Sequence, residues 1–198
     1  MLNQTNEKEP VLAPPGAGLP LVELWIARWR FRRALARTTR EQAEAQFAKE
    51  RDEILELARG CDAATGSRRV LIKRLRGMED SSRFWSVFMT LDHLRIVNIA
   101  CAEAIKSLGR GKVPERVGST ANVKPSPEAG IGAVEDFLRS CEYFQQRAKE
   151  VVDLKTRERY AHPWFGPLDA AGWHFLGGFH MVLHKRQIQE ILALVGKG

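Results

Sequence analysis

Residues 81–109 read SSRFWSVFMTLDHLRIVNIACAEAIKSLG. This stretch constrains the fold more than any other. At about 100° per residue its charges Asp92, Arg95, Glu103 and Lys106 fall on one narrow stripe, and nearly everything else is apolar. The pattern predicts one helix from about Ser82 to Leu108, closed by Gly109. A helix apolar on most sides must be surrounded on most sides. Other helices are the available neighbours, because no stretch shows clean period-two alternation and no Asn-Gly or Asp-Gly hairpin dipeptide occurs.

Helical spacing recurs along the rest of the chain. Residues 1–20, rich in Pro, Gly and polar residues, read as a flexible tail. Residues 21–198 read as one domain, with an extra basic helix at 21–38 and a core bundle at 39–195. The extra helix carries Leu21, Trp25 and Trp29 on one stripe and Leu24, Phe31 and Leu35 on a neighbouring one. Thr38 as N-cap with Glu41 three residues on predicts a restart near Thr39, running to Arg59 and stopped by Gly60. Ser126-Pro127-Glu128 predicts another start, and Asp169 caps a last helix reaching about Val195. The fold class is all-α, a four-helix bundle. The polar link at 110–126 is longer than antiparallel neighbours need, so the helices it joins are expected to run parallel.

The net charge of +7 permits an acidic partner. Much of the surplus is local, with six arginines and no acid between Trp25 and Arg40. Trp, Phe and Arg mix there as in a nucleic-acid or membrane-surface helix. The arginines are spread around the helix, which argues against specific nucleic-acid binding, and the simpler reading docks the helix by its Trp25–Trp29 side. Cys61, Cys101 and Cys141 lack CxxC spacing and read as buried thiols suited to a reducing cytoplasm. No run of about 18 apolar residues occurs, so no membrane span is expected, and no signal peptide is apparent.

Function is concentrated in FHMVLHKRQIQEI, residues 179–191. With His180 at the zero of angle, His184 lies near 40° and Gln187 near 340° by the helical repeat, on the core side with Trp173. Lys185 and Arg186 lie opposite. A lone His on such a face is usually a hydrogen-bonded core residue. A pair one turn apart either finds hydrogen bonds or bites one metal ion. On the long helix His93 falls on the inward flank with Val97, Ala100 and Ala104. Three such nitrogens would leave an ion with open positions, as catalytic sites do.

Gln187 either orients a ligand imidazole or bonds a neighbouring helix. His162, in the loop HPWFG, either contacts substrate or is structural. Cys101 is a possible protein nucleophile or a packed thiol, and Glu135 and Glu142 are candidate acceptors for ligand imidazoles. His174 points away from His180. Gly177-Gly178 leaves room for a ligand or for a neighbouring helix. Phe175, Phe179 and Val182 lie off the His stripe and ask for cover, which a homodimer would supply.

The LDHL around His93, the HPWFG loop, Trp173 and HMVLHKRQI at His180–Ile188, in that order, resemble the DinB-like superfamily of bacterial four-helix bundles. The resemblance spans about Arg51 to Leu194. It implies an up-down-down-up bundle and one divalent ion, Zn, Ni, Fe or Co, on His93, His180 and His184. It further implies a small-molecule substrate and a low-molecular-weight thiol, since a bound ion lowers a thiol's pKa. The expected activity is metal-dependent group transfer or hydrolysis. The alternative is a non-catalytic bundle that the ion merely stabilises, serving as a structural or interaction module.

Overall fold

The computed structural model describes residues 9–115 and 118–196. Six α-helices follow in order: α1 (Leu21–Leu35), α2 (Arg40–Arg59), α3 (Ala63–Ser67), α4 (Val87–Gly109), α5 (Ala133–Lys149) and α6 (Ala170–Val195). α2, α4, α5 and α6 form the bundle. Their directions follow from which residues meet. Asn98 meets Ser140, and Glu103 meets Tyr143, so α4 and α5 run parallel. Phe47 abuts Gly178 and Glu53 binds Lys185, so α2 and α6 run parallel. His93 meets His180 while Trp85, just before α4, lies against His184, so α4 and α6 are antiparallel. The bundle is up-down-down-up, as expected.

Local chemistry explains most helix starts. Thr39 caps α2 in a reciprocal box with Gln42, one residue later than the Thr38–Glu41 box expected. Ser86 caps α4, Asp169 caps α6, and Asp62 caps the short α3. Two starts differ from expectation. Ser126 accepts the Glu128 N–H in a local turn, and helix begins only at Ala133, past Gly130 and Gly132. Residues expected as the first turn of α4 instead form a 3₁₀ turn, Asp80–Ser82, and a strand.

That strand belongs to one of two small strand pairs that accompany the expected helical bundle. β1 (Val70–Leu71) pairs with β2 (Phe84–Trp85), and β3 (Tyr160–His162) pairs with β4 (Gly166–Leu168), both antiparallel. Two- and three-residue strands are too short to show alternation. The β3–β4 turn is the HPWFG loop, closed by Gly166 at φ 77°.

The core is aromatic. Phe47 of α2 stacks on Phe144 of α5 at 4.3 Å between ring centroids. The glycine pair settles as a close helix approach. A Cβ on Gly177 would lie 2.7 Å from the Phe144 ring, and one on Gly178 would lie 3.2 Å from the backbone nitrogen of Phe47.

α1 docks by its other stripe, a correction to the Trp25–Trp29 side expected. Phe31 is fully buried, stacked on Phe165 at 4.2 Å and edge-on to Phe175 and Phe179. Glu23 binds Arg74 at 2.6 Å and the Gly77 N–H, and Arg28 donates to the Trp164 carbonyl. Trp25 and Trp29 face outward, 69% and 54% exposed. The aromatic side of α6 is thus covered by the chain's own first helix, which removes the reason for expecting a second copy there. Residues 9–20 are also tethered in part rather than free. Ala13 N–H donates to Asp80, Gly16 N–H to Glu79, and Leu19 is buried. Residues 1–8 of the expected tail lie outside the described residues. No helix among those described is long and apolar enough to cross a membrane.

Candidate metal centre

α4 and α6 bring three imidazoles together. His93 Nε2 lies 3.3 Å from His180 Nε2, which lies 3.0 Å from His184 Nε2. All three ligand atoms fall within 4.8 Å of one another. Their outer nitrogens are tied differently. His93 Nδ1 is 2.5 Å from the Val123 carbonyl, an acceptor only, so Nδ1 carries the proton. His184 Nδ1 is 2.7 Å from Gln187 Oε1. The Gln187 amide nitrogen donates to the Ser82 carbonyl at 2.7 Å, which fixes the oxygen toward His184. His184 therefore also carries its proton on Nδ1.

Two of the three converging nitrogens thus present lone pairs. His180 can give a proton to one of them but not to both. The separations of 3.0 and 3.3 Å match those of nitrogens sharing one ion, since bonds of about 2.0–2.1 Å to a common metal put neighbouring ligands about 3.0–3.4 Å apart. The donor set fits a divalent ion.

Burial reinforces this. Removal from water pushes His93 down to about 4, with Lys124 nearby adding to the effect and the Val123 carbonyl opposing it. His180 and His184 lie well below the usual histidine range, again chiefly from burial, then from repulsion by neighbouring imidazoles. All three are neutral at pH 7, the form that ligates metal. Trp85 shields them, with its ring 5.1 Å from that of His93 and 6.2 Å from that of His184.

The chain topology supplies the Val123 carbonyl. Because α4 and α5 run parallel, the chain leaving Gly109 must return along α4, about 25 Å at 1.5 Å per residue, before α5 begins. Thr120 and Lys124 tie this return segment to Glu79, at 2.7 and 3.1 Å. Glu79 is 4% exposed. Burial raises its carboxyl, but the bonds from Thr120 and Lys124 prevail and hold it lowered. Val123 lies between the two anchors and is thereby held on His93.

The imidazoles form the floor of a cavity of about 670 Å³. Val97, Ala100 and Ala104 of α4 and Leu176, Phe179 and Leu183 of α6 line its walls. His162 lines it too. Its Nδ1 accepts the N–H groups of Trp164 and Phe165 at 3.1 and 3.3 Å, which leaves the proton on Nε2. Burial lowers His162 to about 4. Nε2 has no hydrogen-bond partner among the described residues, so this donor is free for a ligand.

Other candidates resolve as structural. His174 is buried on the far side of α6, stacked on Phe144 at 5.8 Å between centroids. Cys101 is 1% exposed and its thiol is pushed up to about 12 by burial, which removes the thiolate a nucleophile needs. Glu135 and Glu142 are exposed on α5 and make no contact with the imidazoles. The acceptors expected of them are Gln187 and Val123 instead. Lys185, on the side opposite the histidine pair, is held between Glu50 and Glu53 of α2. Sequence reasoning missed Trp85, Val123 and the Glu79 anchor. Only Trp85 left a signal, an aromatic residue just ahead of the α4 cap.

No family model and no curated protein matches this chain. Among solved structures it is similar to the crystal structure of TT2238, a four-helix bundle protein, at a TM-score of 0.56 and 20% identity. The match covers 76% of this chain and 98% of that one. The likeness is one of fold.

Proposed function

We propose that the protein is a metal-dependent enzyme of the DinB-like type, holding one divalent ion on His93, His180 and His184. The observation that carries this reading is the pair of tautomers fixed by Val123 and Gln187, which turns two lone pairs onto one point beside a third imidazole. A divalent ion there would lower the pKa of a bound thiol or water and so supply a nucleophile at neutral pH. Group transfer from or to a low-molecular-weight thiol, or hydrolysis, are the reactions this suits.

The chain's own residues then have definite tasks. Val123 and Gln187 hold the ligand imidazoles in the ligating tautomer. The apolar walls receive the body of a small-molecule substrate and exclude water. His162 offers its Nε2–H to an oxygen that gains negative charge. The open cavity favours an enzyme over a structural ion, because a structural site would be closed by a fourth protein ligand. Three nitrogens suit Zn, Ni, Fe or Co.

The test is metal analysis of protein purified without a histidine tag. About one divalent ion per chain is expected. His184→Ala should lose most of it while remaining helical, and Gln187→Leu should weaken binding about 10- to 100-fold. His174→Ala should retain the full amount. Full retention in His184→Ala would remove the histidine pair from the ligand set.

A further inference from the structure

The outward face of α1 takes no part in the site and is covered by none of the described residues. Leu21, Val22, Trp25, Ile26 and Trp29 are 85, 73, 69, 42 and 54% exposed. By the helical repeat they share one half of the helix, opposite Phe31. Toward the C-terminal end the same half carries Arg32 and Arg33, with Arg30 at its edge and Arg37 just past the end of the helix, all exposed. None of the four forms an ion pair among the described residues, and the Arg33 guanidinium lies over the Trp29 ring at 5.6 Å. The only acid in α1, Glu23, lies just past the edge of this half and is held by Arg74.

We propose that this face docks on an anionic lipid surface. Five apolar side chains in one patch require cover that water does not give. Tryptophan rings suit the boundary between headgroups and acyl chains, and arginines beside them suit lipid phosphates. The helix is already formed and fixed by Phe31, so little order is lost on docking. A second copy of the chain fits less well. A two-fold pairing of this face would remove its guanidinium groups from water with no carboxylate on the face to receive them. Nucleic acid would match the arginines but leave Leu21, Val22 and Ile26 without a role.

The experiment is co-sedimentation of the full-length protein with vesicles of phosphatidylcholine containing about one-third phosphatidylglycerol. Binding should be at least about tenfold stronger than to phosphatidylcholine alone and should fall as salt rises. Trp25→Ser with Trp29→Ser should weaken it about tenfold or more. Replacing Arg32 and Arg33 by Gln should cost about fivefold per residue. These side chains are exposed, so unchanged thermal unfolding should show that the variants stay folded. Absence of binding to the anionic vesicles at low salt would overturn the proposal, as would binding indifferent to the Trp changes. A concentration-dependent dimer abolished by the Trp changes would assign the face to a second copy. Duplex DNA binding that depends on the arginines but not the tryptophans, without vesicle binding, would assign it to nucleic acid.

Discussion

The tautomers of two of the three clustered histidines, His93 and His184, are set by neighbours that have no titratable group. A backbone carbonyl and a primary amide fix where two protons sit, and burial keeps the imidazoles neutral. The three histidines were legible in the sequence because helical periodicity fixes which way a side chain faces. The Val123 carbonyl was not, since a backbone acceptor on a returning loop leaves no mark in residue type. His174 shows the same burial without the convergence, and it makes a test at this scale. Burial depresses it from about 6.5 to about 4, with Glu44 opposing and Arg40 assisting. The unfolded chain therefore binds the proton first. Stability is full above about pH 6.5 and falls as pH drops toward 4. Urea unfolding of metal-free protein at pH 7.5 and 4.5 should show this loss. In His174→Phe the loss should be smaller, by at most about 3 kcal/mol. Equal losses in the two proteins would show that His174 does not carry it.

Among the elements, α2 and α6 approach closely, and the reason is the glycine pair. In isolation Gly177→Ala would favour the helix by about 1 kcal/mol. Here the added Cβ meets Phe144 at 2.7 Å and Phe47 at 3.1 Å, and both rings are buried in their own stack. Neither can move aside, so overpacking of about 1–3 kcal/mol should outweigh the propensity gain. Thermal unfolding of Gly177→Ala should show a melting temperature lower by a few degrees, and a rise would mean the rings yield. Caps made the starts of α2 and α6 readable to within a residue or so. α1 was harder because two adjacent stripes are both apolar, and its docked side is decided by Phe165, Phe175 and Phe179, far away in sequence. The start of α5 misled for a local reason. Ser126 makes the same side-chain bond in a turn that it would make at a cap.

For the whole molecule, topology and site are one arrangement. Antiparallel α4 and α6 bring His93 to His180 and His184, and parallel α4 and α5 force the return segment that places Val123 over them. The same segment, with the β3–β4 hairpin, borders a cavity that leaves the site accessible. An ion that is both held by three histidines and open to a small molecule is the central claim. Cobalt tests both halves at once. Cobalt-loaded protein should show visible absorption bands that are absent from His180→Ala. Azide should change those bands, and a small thiol near neutral pH should add a sulfur-to-metal charge-transfer band with release of a proton. Bands that persist in His180→Ala would contradict the ligand set. Bands indifferent to azide and to every thiol tried would contradict the open site, and with it the enzyme.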